Sequence, residues 1–124
     1  MEKKKPKLLI IDDDSRNVFA LSLTLKSRGF ETRSANDAMT GLKLLKENGE
    51  LKIVLLDMMM PEMDGYEMLS VMKNTPGLKS VVVFAVTAQA MGGDREKCLA
   101  AGADEYVSKP VDIDVLVEKL NQYC

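Results

Sequence analysis

The chain has 124 residues and a formal net charge of −2, so its length supports one domain and its charge gives no field for holding nucleic acid. No stretch has the length and hydrophobicity of a membrane span, and the N-terminus lacks the apolar core of a signal peptide. The complete absence of histidine excludes Ser-His-Asp and Cys-His triads, histidine-based zinc sites and a phosphohistidine carrier within this chain.

Strand-like and helix-like segments alternate along the chain. The predicted strands span residues 7–11, 30–34, 52–57, 80–86 and 104–108. The intervening patterns predict helices over residues 14–28, 37–48, 64–74, 90–101 and 112–122. Such alternation predicts right-handed βαβ units that build a mainly parallel sheet. No linker, repeat or low-complexity tract interrupts the alternation, so residues 1–124 are expected to form a single domain.

The residues that flank the predicted helices support these boundaries. Glycines, which favour helix ends, occur at Gly29, Gly49 and Gly102. Side chains that favour N-caps occur at Asp14, Asn36 and Asp112. The fourth helix begins less clearly, because Gly92 and Gly93 would each cost up to about 1 kcal/mol inside it. Two interpretations stay open there: a loop followed by a helix that starts at Asp94, or a soft joint beside the functional edge.

Two apolar strands end in carboxylates. The third predicted strand leads into Asp57, and the first leads into Asp12, Asp13 and Asp14. Open α/β sheets bind ligands at the carboxyl edge of their strands, so these side chains are expected to share one site. Two carboxylates about 4 Å apart repel by about 4 kcal/mol at an effective dielectric of about 20, so a cation should lie among them. The alternative is that the acidic run only caps the first helix, where the helix dipole favours negative charge.

Two candidates could supply the positive charge. A hard divalent ion such as magnesium, Mg²⁺, prefers the carboxylate, carbonyl and water oxygens that this edge offers. Lys109, at the end of the fifth predicted strand, is the second candidate. Thr87 ends the fourth predicted strand; alone it would be interpreted as a turn or cap residue. Four separate strands therefore deliver polar groups to one edge, and this convergence favours a functional site over the separate structural interpretations.

These residues and their contexts resemble the receiver domains of two-component response regulators, a family that includes the chemotaxis response regulator. The resemblance runs from Lys7 to about Tyr123 and rests on four motifs: Asp12-Asp13, the D-x-x-M-P-x-M-D-G run from Asp57 to Gly65, Thr87-Ala88 and Lys109-Pro110. The run from Thr87 to Met91, and Asp12-Asp13-Asp14 with Asn17, further resemble receivers of hybrid histidine kinases. The resemblance implies a flavodoxin-like, doubly wound (βα)5 fold, a three-layer sandwich around a five-stranded parallel sheet of order 2-1-3-4-5.

The resemblance also implies the chemistry of the site. Asp57 would be the nucleophile that accepts a phosphoryl group from a phosphohistidine of a partner, a covalent role open to carboxylates. Lys109 would pair with the phosphoryl oxygens, and Thr87 would donate its hydroxyl to another of them. Tyr106 would change rotamer as Thr87 moves, which would switch the surface of the fourth helix, fifth strand and fifth helix. From its position alone, Tyr106 would be a half-buried packing residue.

The implied metal site consists of Asp12, Asp13, Asp57 and the backbone carbonyl of Met59. In the family the second aspartate of the acidic pair contacts Mg²⁺ directly, and the first often acts through water. Many receivers carry a polar residue at the position of Met59 that tunes the lifetime of the aspartyl phosphate. The apolar side chain here leaves that lifetime open.

Two structural expectations complete the prediction. The Lys109-Pro110 bond is expected to be cis, because this bond is typically cis in receivers. Cys98 is expected to be a packing residue of the fourth helix. Two cysteines, Cys98 and Cys124, indicate no disulfide framework and are consistent with a reducing, cytoplasmic location.

Three alternatives compete with a working receiver. Asp12-x-Asp14 resembles the D-x-D start of haloacid-dehalogenase-type phosphatases, in which Asp12 would be the nucleophile, but Asp57 would then have no role. A flavodoxin-like nucleotide binder is disfavoured by the acidic first loop and by the absence of a phosphate-binding glycine loop. A degenerate receiver that folds without being phosphorylated is disfavoured because every expected group is present.

The resemblance implies a two-component or phosphorelay signalling domain that is not an enzyme and catalyses only its own phosphorylation and dephosphorylation. Its expected partner is a sensor histidine kinase or a histidine phosphotransfer protein, with neither nucleic acid nor membrane bound directly. Receivers often form homodimers after phosphorylation, so such a dimer is a further expectation. Whether the domain is free-standing or comes from a larger hybrid kinase stays open.

Overall fold

A computed structural model describes residues 7–88 and 92–123 of the chain. In these two ranges five strands alternate with five helices. The strands are β1 Lys7–Ile11, β2 Glu31–Ala35, β3 Leu51–Asp57, β4 Val82–Thr87 and β5 Glu105–Ser108. The helices are α1 Ser15–Ser27, α2 Ala38–Glu47, α3 Gly65–Lys73, α4 Asp94–Ala100 and α5 Ile113–Asn121. Each predicted element is present, and most boundaries agree within one or two residues.

All strand pairs are parallel, and the strand order is β2-β1-β3-β4-β5. The flavodoxin-like, doubly wound topology implied by the resemblance is therefore confirmed. β3 occupies the centre of the sheet between β1 and β4. Its end is thus flanked on both sides by other strand ends, and this arrangement creates the functional edge.

Alternation along the strands builds two separate cores. Leu9, Val54 and Val83 face a cluster that includes residues of α2, α3 and α4. Ile10 and Leu55, on the opposite sheet face, belong to a cluster with residues of α1 and α5. Successive side chains of a strand point to opposite faces, so continuous apolar strands can bury both faces of the sheet. The result is the predicted three-layer sandwich.

The capping residues confirm two predictions and correct a third. The carboxylates of Asp14 and Asp112 accept backbone N–H bonds at the starts of α1 and α5. The N-cap of α2 is Asp37 and not Asn36, since Oδ1 of Asp37 accepts the N–H of Thr40 at 2.7 Å. An N-cap side chain reaches the third helical N–H only from the residue directly before the helix, which here begins at Ala38.

The start of α4 agrees with the loop interpretation of the two glycines. The helix begins at Asp94, directly after Gly93, whose φ of 89° lies in the left-handed region. Glycine reaches this region without the steric cost that a side chain brings. Residues 90 and 91 of the predicted helix lie outside the described residues.

Two further findings concern a single peptide bond and the lengths of the helices. The Lys109-Pro110 peptide bond is cis, as expected. Across residues 7–88 and 92–123, no helix combines the length and the hydropathy that crossing a membrane requires.

Candidate functional site

The predicted site residues meet at the carboxyl edge of the sheet. Leu56 pairs with Ile11 in the register of β3 and β1, so the next residues, Asp57 and Asp12, lie side by side. On the other side of β3, Asp57 pairs with Val86, the residue before Thr87. The pairing of β4 with β5 then brings Thr87 beside the strand end that precedes Lys109.

Three of the four acidic residues form a cluster. Asp12, Asp13 and Asp57 each offer a carboxylate oxygen, and these atoms all lie within 4.8 Å of one another. Asp12 and Asp57 are buried, with 7% and 6% of their surfaces exposed, whereas Asp13 is exposed. Asp14 has a different role, because Oδ1 accepts the N–H of Arg16 at the start of α1. Asp12 and Asp13 therefore belong to the acidic cluster, whereas Asp14 caps α1.

Lys109 places a positive charge among these carboxylates. Its Nζ lies 3.2 Å from Oδ2 of Asp12 and 3.7 Å from Oδ2 of Asp57. Burial by itself would lower the pKa of Lys109, but the hydrogen bond to Asp12 and the charge of Asp57 outweigh it and raise the pKa. The ammonium group therefore stays protonated at neutral pH.

Asp57 is held in an environment that disfavours its ionised form. Burial is the largest cause that raises its pKa, and the charge of Asp12 adds to the rise. The backbone N–H of Met59, which donates to Oδ1 of Asp57 at 3.0 Å, and the charge of Lys109 act in the opposite direction. A group that brings positive charge to this carboxylate would relieve the cost of its ionisation.

The donor set fits a hard divalent cation. Carboxylate oxygens from Asp12, Asp13 and Asp57 converge at one point, and the chain has no histidine that would favour a softer metal. Cys98 is fully buried in the core on the α4 side of the sheet, as predicted for a packing residue. The set of oxygens therefore matches the preferences of Mg²⁺ without a competing soft ligand among the described residues.

Thr87 ends β4 beside the strand end that carries Asp57, and Tyr106 lies on the neighbouring strand β5. Thr87 is almost fully buried, with 1% of its surface exposed. Tyr106 is half-buried and donates its hydroxyl to Oδ2 of Asp94 at 2.7 Å. Burial, followed by this hydrogen bond, raises the pKa of Tyr106 to about 12. The tyrosine is therefore a neutral hydrogen-bond donor at physiological pH.

Asp94 is the residue that sequence reasoning missed. Its sequence position indicates only a possible helix start, yet Asp94 is buried, with 8% of its surface exposed, and its carboxylate accepts the hydroxyl of Tyr106, the predicted switch residue. An acidic residue in the first turn of a helix is ordinarily explained by the helix dipole. The sequence thus indicates that Asp94 starts a helix, but no sequence pattern indicates its hydrogen bond to Tyr106.

Comparison with known proteins identifies the family. A profile of the response regulator receiver domain matches residues 8–121. The chain is 37% identical over 117 residues to the sensor histidine kinase RcsC of Escherichia coli strain K12, covering 94% of this chain and 12% of that protein. It is 29% identical over 116 residues to the polar-differentiation response regulator DivK of Brucella anthropi, covering 94% of each.

Solved structures agree with this result. The receiver domain of sensor histidine kinase PA1611 from Pseudomonas aeruginosa PAO1, solved with a magnesium ion in its active-site cleft, superposes with a TM-score of 0.85 and 26% identity. The match covers 95% of this chain and 96% of that one. These findings give no support to the phosphatase alternative. Together with the carboxylates and lysine gathered at one sheet edge, they show that the chain belongs to the response regulator receiver domains of two-component signalling systems.

Proposed function

We propose that Asp57 of this receiver domain accepts a phosphoryl group from a phosphohistidine of a partner protein. The observation that carries the proposal is the position of Asp57 at the end of the central strand, buried beside Asp12 and Lys109. Packing alone does not account for two carboxylates, Asp12 and Asp57, and one ammonium group, Lys109, gathered at this edge. An incoming phosphoryl group would use each of them.

In the proposed reaction a carboxylate oxygen of Asp57 attacks the phosphorus atom. A P–O bond forms, and the P–N bond to the imidazole of the partner breaks. The ring nitrogen keeps the electron pair of that bond, and one proton taken up by the ring lets it leave as neutral imidazole. The N–H of Met59 holds the other oxygen of Asp57, so it orients the carboxylate for attack.

Lys109 and Thr87 would stabilise the phosphoryl group from its other sides. The ammonium group of Lys109 already lies between Asp12 and Asp57, so it needs only a small shift to pair with a phosphoryl oxygen. The hydroxyl of Thr87 would donate to a second oxygen. Phosphoryl transfer depends mostly on positioning and on charge neutralisation, and both residues contribute to these.

Asp12, Asp13 and Asp57, with the backbone carbonyl of Met59, would hold Mg²⁺. The three carboxylates carry more negative charge than the single ammonium group of Lys109 neutralises. When bound, the ion neutralises charge on the carboxylates and on the phosphoryl oxygens. The residues of this chain supply the ligands and keep them converged before the phosphoryl group arrives.

Thr87 and Tyr106 would convert phosphorylation into a change of surface. The movement of Thr87 toward the phosphoryl group would open space that Tyr106 can enter, which would favour a second arrangement of α4, β5 and α5. Such a switch is a shift between two populated states. A shift from about 1% to about 99% of the second state requires about 5.5 kcal/mol of differential binding free energy. A smaller difference in binding free energy would activate the domain only in part.

The proposal includes the partner and the setting. The partner would be a histidine kinase or a histidine phosphotransfer protein, and the domain would catalyse only its own phosphorylation and dephosphorylation, in the cytoplasm. Residues 1–124 would act as one receiver domain, with homodimers formed after phosphorylation. The chain spans only 12% of the length of the RcsC relatives, so any activity of a longer protein is a separate proposal.

The phosphorylation site can be mapped directly. The protein is incubated with Mg²⁺ and phosphoramidate, and the acyl phosphate is trapped by reduction and located by peptide mass spectrometry. We expect the label on Asp57 and its loss in Asp57→Asn. Asp14→Asn is the matched control, because it removes a neighbouring charge and keeps an N-cap side chain. Label on Asp12, or no label with intact folding, would contradict the proposal.

A further inference from the structure

The first turn of α4 is tied to β5 through the side chain of Asp94. The hydroxyl of Tyr106 donates to Oδ2 of Asp94 at 2.7 Å, a short distance typical of hydrogen bonds to charged acceptors. Asp94 is buried although it is the first residue of the helix. Its carboxylate therefore faces the sheet and not solvent, unlike Glu96 in the same turn, which is exposed.

The two ends of α4 are held in different ways. Cys98, toward the C-terminal end, is fully buried, and its Sγ lies 3.5 Å from the hydroxyl of Tyr66 on α3. The ammonium group of Lys97 lies 4.7 Å from the ring centre of the same tyrosine. The N-terminal end follows Gly93 and has no side-chain cap. The C-terminal end is thus anchored to α3, whereas the first turn is joined to β5 through Asp94.

The bond should be sensitive to any movement of Tyr106. Asp94 is the first residue of α4 and is buried, and its carboxylate accepts the hydroxyl of Tyr106. A buried carboxylate that loses a donor retains its desolvation cost without compensation. If Tyr106 leaves this position, Asp94 must either find a new hydrogen-bond donor or turn its carboxylate out to water. Turning the carboxylate out to water would displace the first turn of α4.

We propose that Asp94 is a positioning residue that restrains Tyr106 and the first turn of α4 in the unphosphorylated arrangement. This inference rests on the proposed function, since it concerns the state that phosphorylation of Asp57 would change. A contact made in only one of two states shifts the equilibrium toward that state by its own free energy. By linkage, the same contact weakens the binding of any phosphoryl mimic that favours the other state.

Affinity for beryllofluoride, a mimic of the phosphoryl group, tests the restraint. In Mg²⁺, Asp94→Ala should bind beryllofluoride about tenfold more tightly than the wild type, equivalent to about 1.4 kcal/mol. Asp94→Asn keeps an acceptor oxygen and should fall between the two. Glu96→Ala is the matched control, because it removes a negative charge from the same turn without a hydrogen bond to Tyr106, and it should leave the affinity within about twofold. Equal or weaker binding by both Asp94 variants would overturn the inference.

The same measurement in Tyr106→Phe separates the restraint from a general structural role. Without the tyrosine hydroxyl, Asp94→Ala should no longer change the affinity. An equal change in both backgrounds would show that Asp94 acts through another contact and would overturn the inference. If the folded wild type fails to bind beryllofluoride at all, the proposed function falls, and the inference falls with it; if the wild type binds and the Asp94 variants are unchanged, only the inference fails.

Discussion

The ammonium nitrogen of Lys109 lies 3.2 Å from a carboxylate oxygen of Asp12, although 97 residues separate them in the chain. β1 and β5 are not neighbours in the sheet, because β3 and β4 lie between them. The lysine side chain therefore crosses the ends of two strands and passes Asp57 on the way. In the resting protein this cation compensates the acidic cluster, and in the proposed reaction it would pair with the phosphoryl group.

Asp13→Ala is expected to stabilise the protein when metal is absent. Asp13 adds a third negative charge to a cluster that contains one ammonium group, so its removal reduces repulsion. In chelator we expect a rise in melting temperature of about 3 °C or more, and Mg²⁺ should no longer stabilise the variant. Glu118→Ala, which removes an exposed charge on α5, serves as control and should leave both quantities unchanged. A melting temperature at or below that of the wild type would count against the repulsion.

Asp57→Asn is expected to stabilise the metal-free protein in a pH-dependent manner. The pKa of Asp57 is raised above its ordinary value of 3.8 in the folded state, chiefly by burial. Between 3.8 and the raised value the folded state binds more protons than the unfolded state, so stability falls as pH rises through this window. Urea unfolding in chelator should therefore show a larger advantage of Asp57→Asn at about pH 8 than at about pH 4. An advantage that grows toward acid pH would reverse the sign and refute the argument.

Lys109→Ala is expected to destabilise the metal-free protein. The substitution leaves Asp12 and Asp57 buried without their shared cation, which should cost about 1–3 kcal/mol of unfolding free energy. Adding Asp12→Asn to the same chain should recover part of this loss, with a coupling of about 0.5–3 kcal/mol. The control is Lys119→Ala, whose partly exposed pair with Glu105 should contribute at most about 1 kcal/mol. Strictly additive losses would mean that Lys109 and Asp12 do not interact.

Asp37→Ala and Asn36→Ala should differ in stability. Asp37 caps α2 through the N–H of Thr40, so its truncation should cost about 1 kcal/mol. Asn36 is exposed and lies before the cap, and its truncation should be nearly neutral. Urea unfolding of the two variants measures the difference. Equal losses would show that the carboxylate bond at Asp37 does not stabilise the helix.

Local patterns were sufficient for most of the fold. Apolar runs such as β3 indicated strands, and Asp14 and Asp112 marked helix starts because a cap acts on its own helix. The error at Asn36 has a local cause as well. Two adjacent residues, Asn36 and Asp37, both favour the N-cap, and only the exact start of α2 distinguishes them.

The sequence by itself determined which side chains end each strand, and hence that Asp12, Asp57, Thr87 and Lys109 share one edge, because parallel strands align their carboxyl ends. Only the tertiary structure decided the individual partners. The distribution of roles within the acidic run, the pairing of Lys109 with Asp12 and the bond from Tyr106 to Asp94 depend on packing between elements that are distant in the chain. Such contacts gain free energy only after the sheet and its helices have assembled, so no local pattern records them.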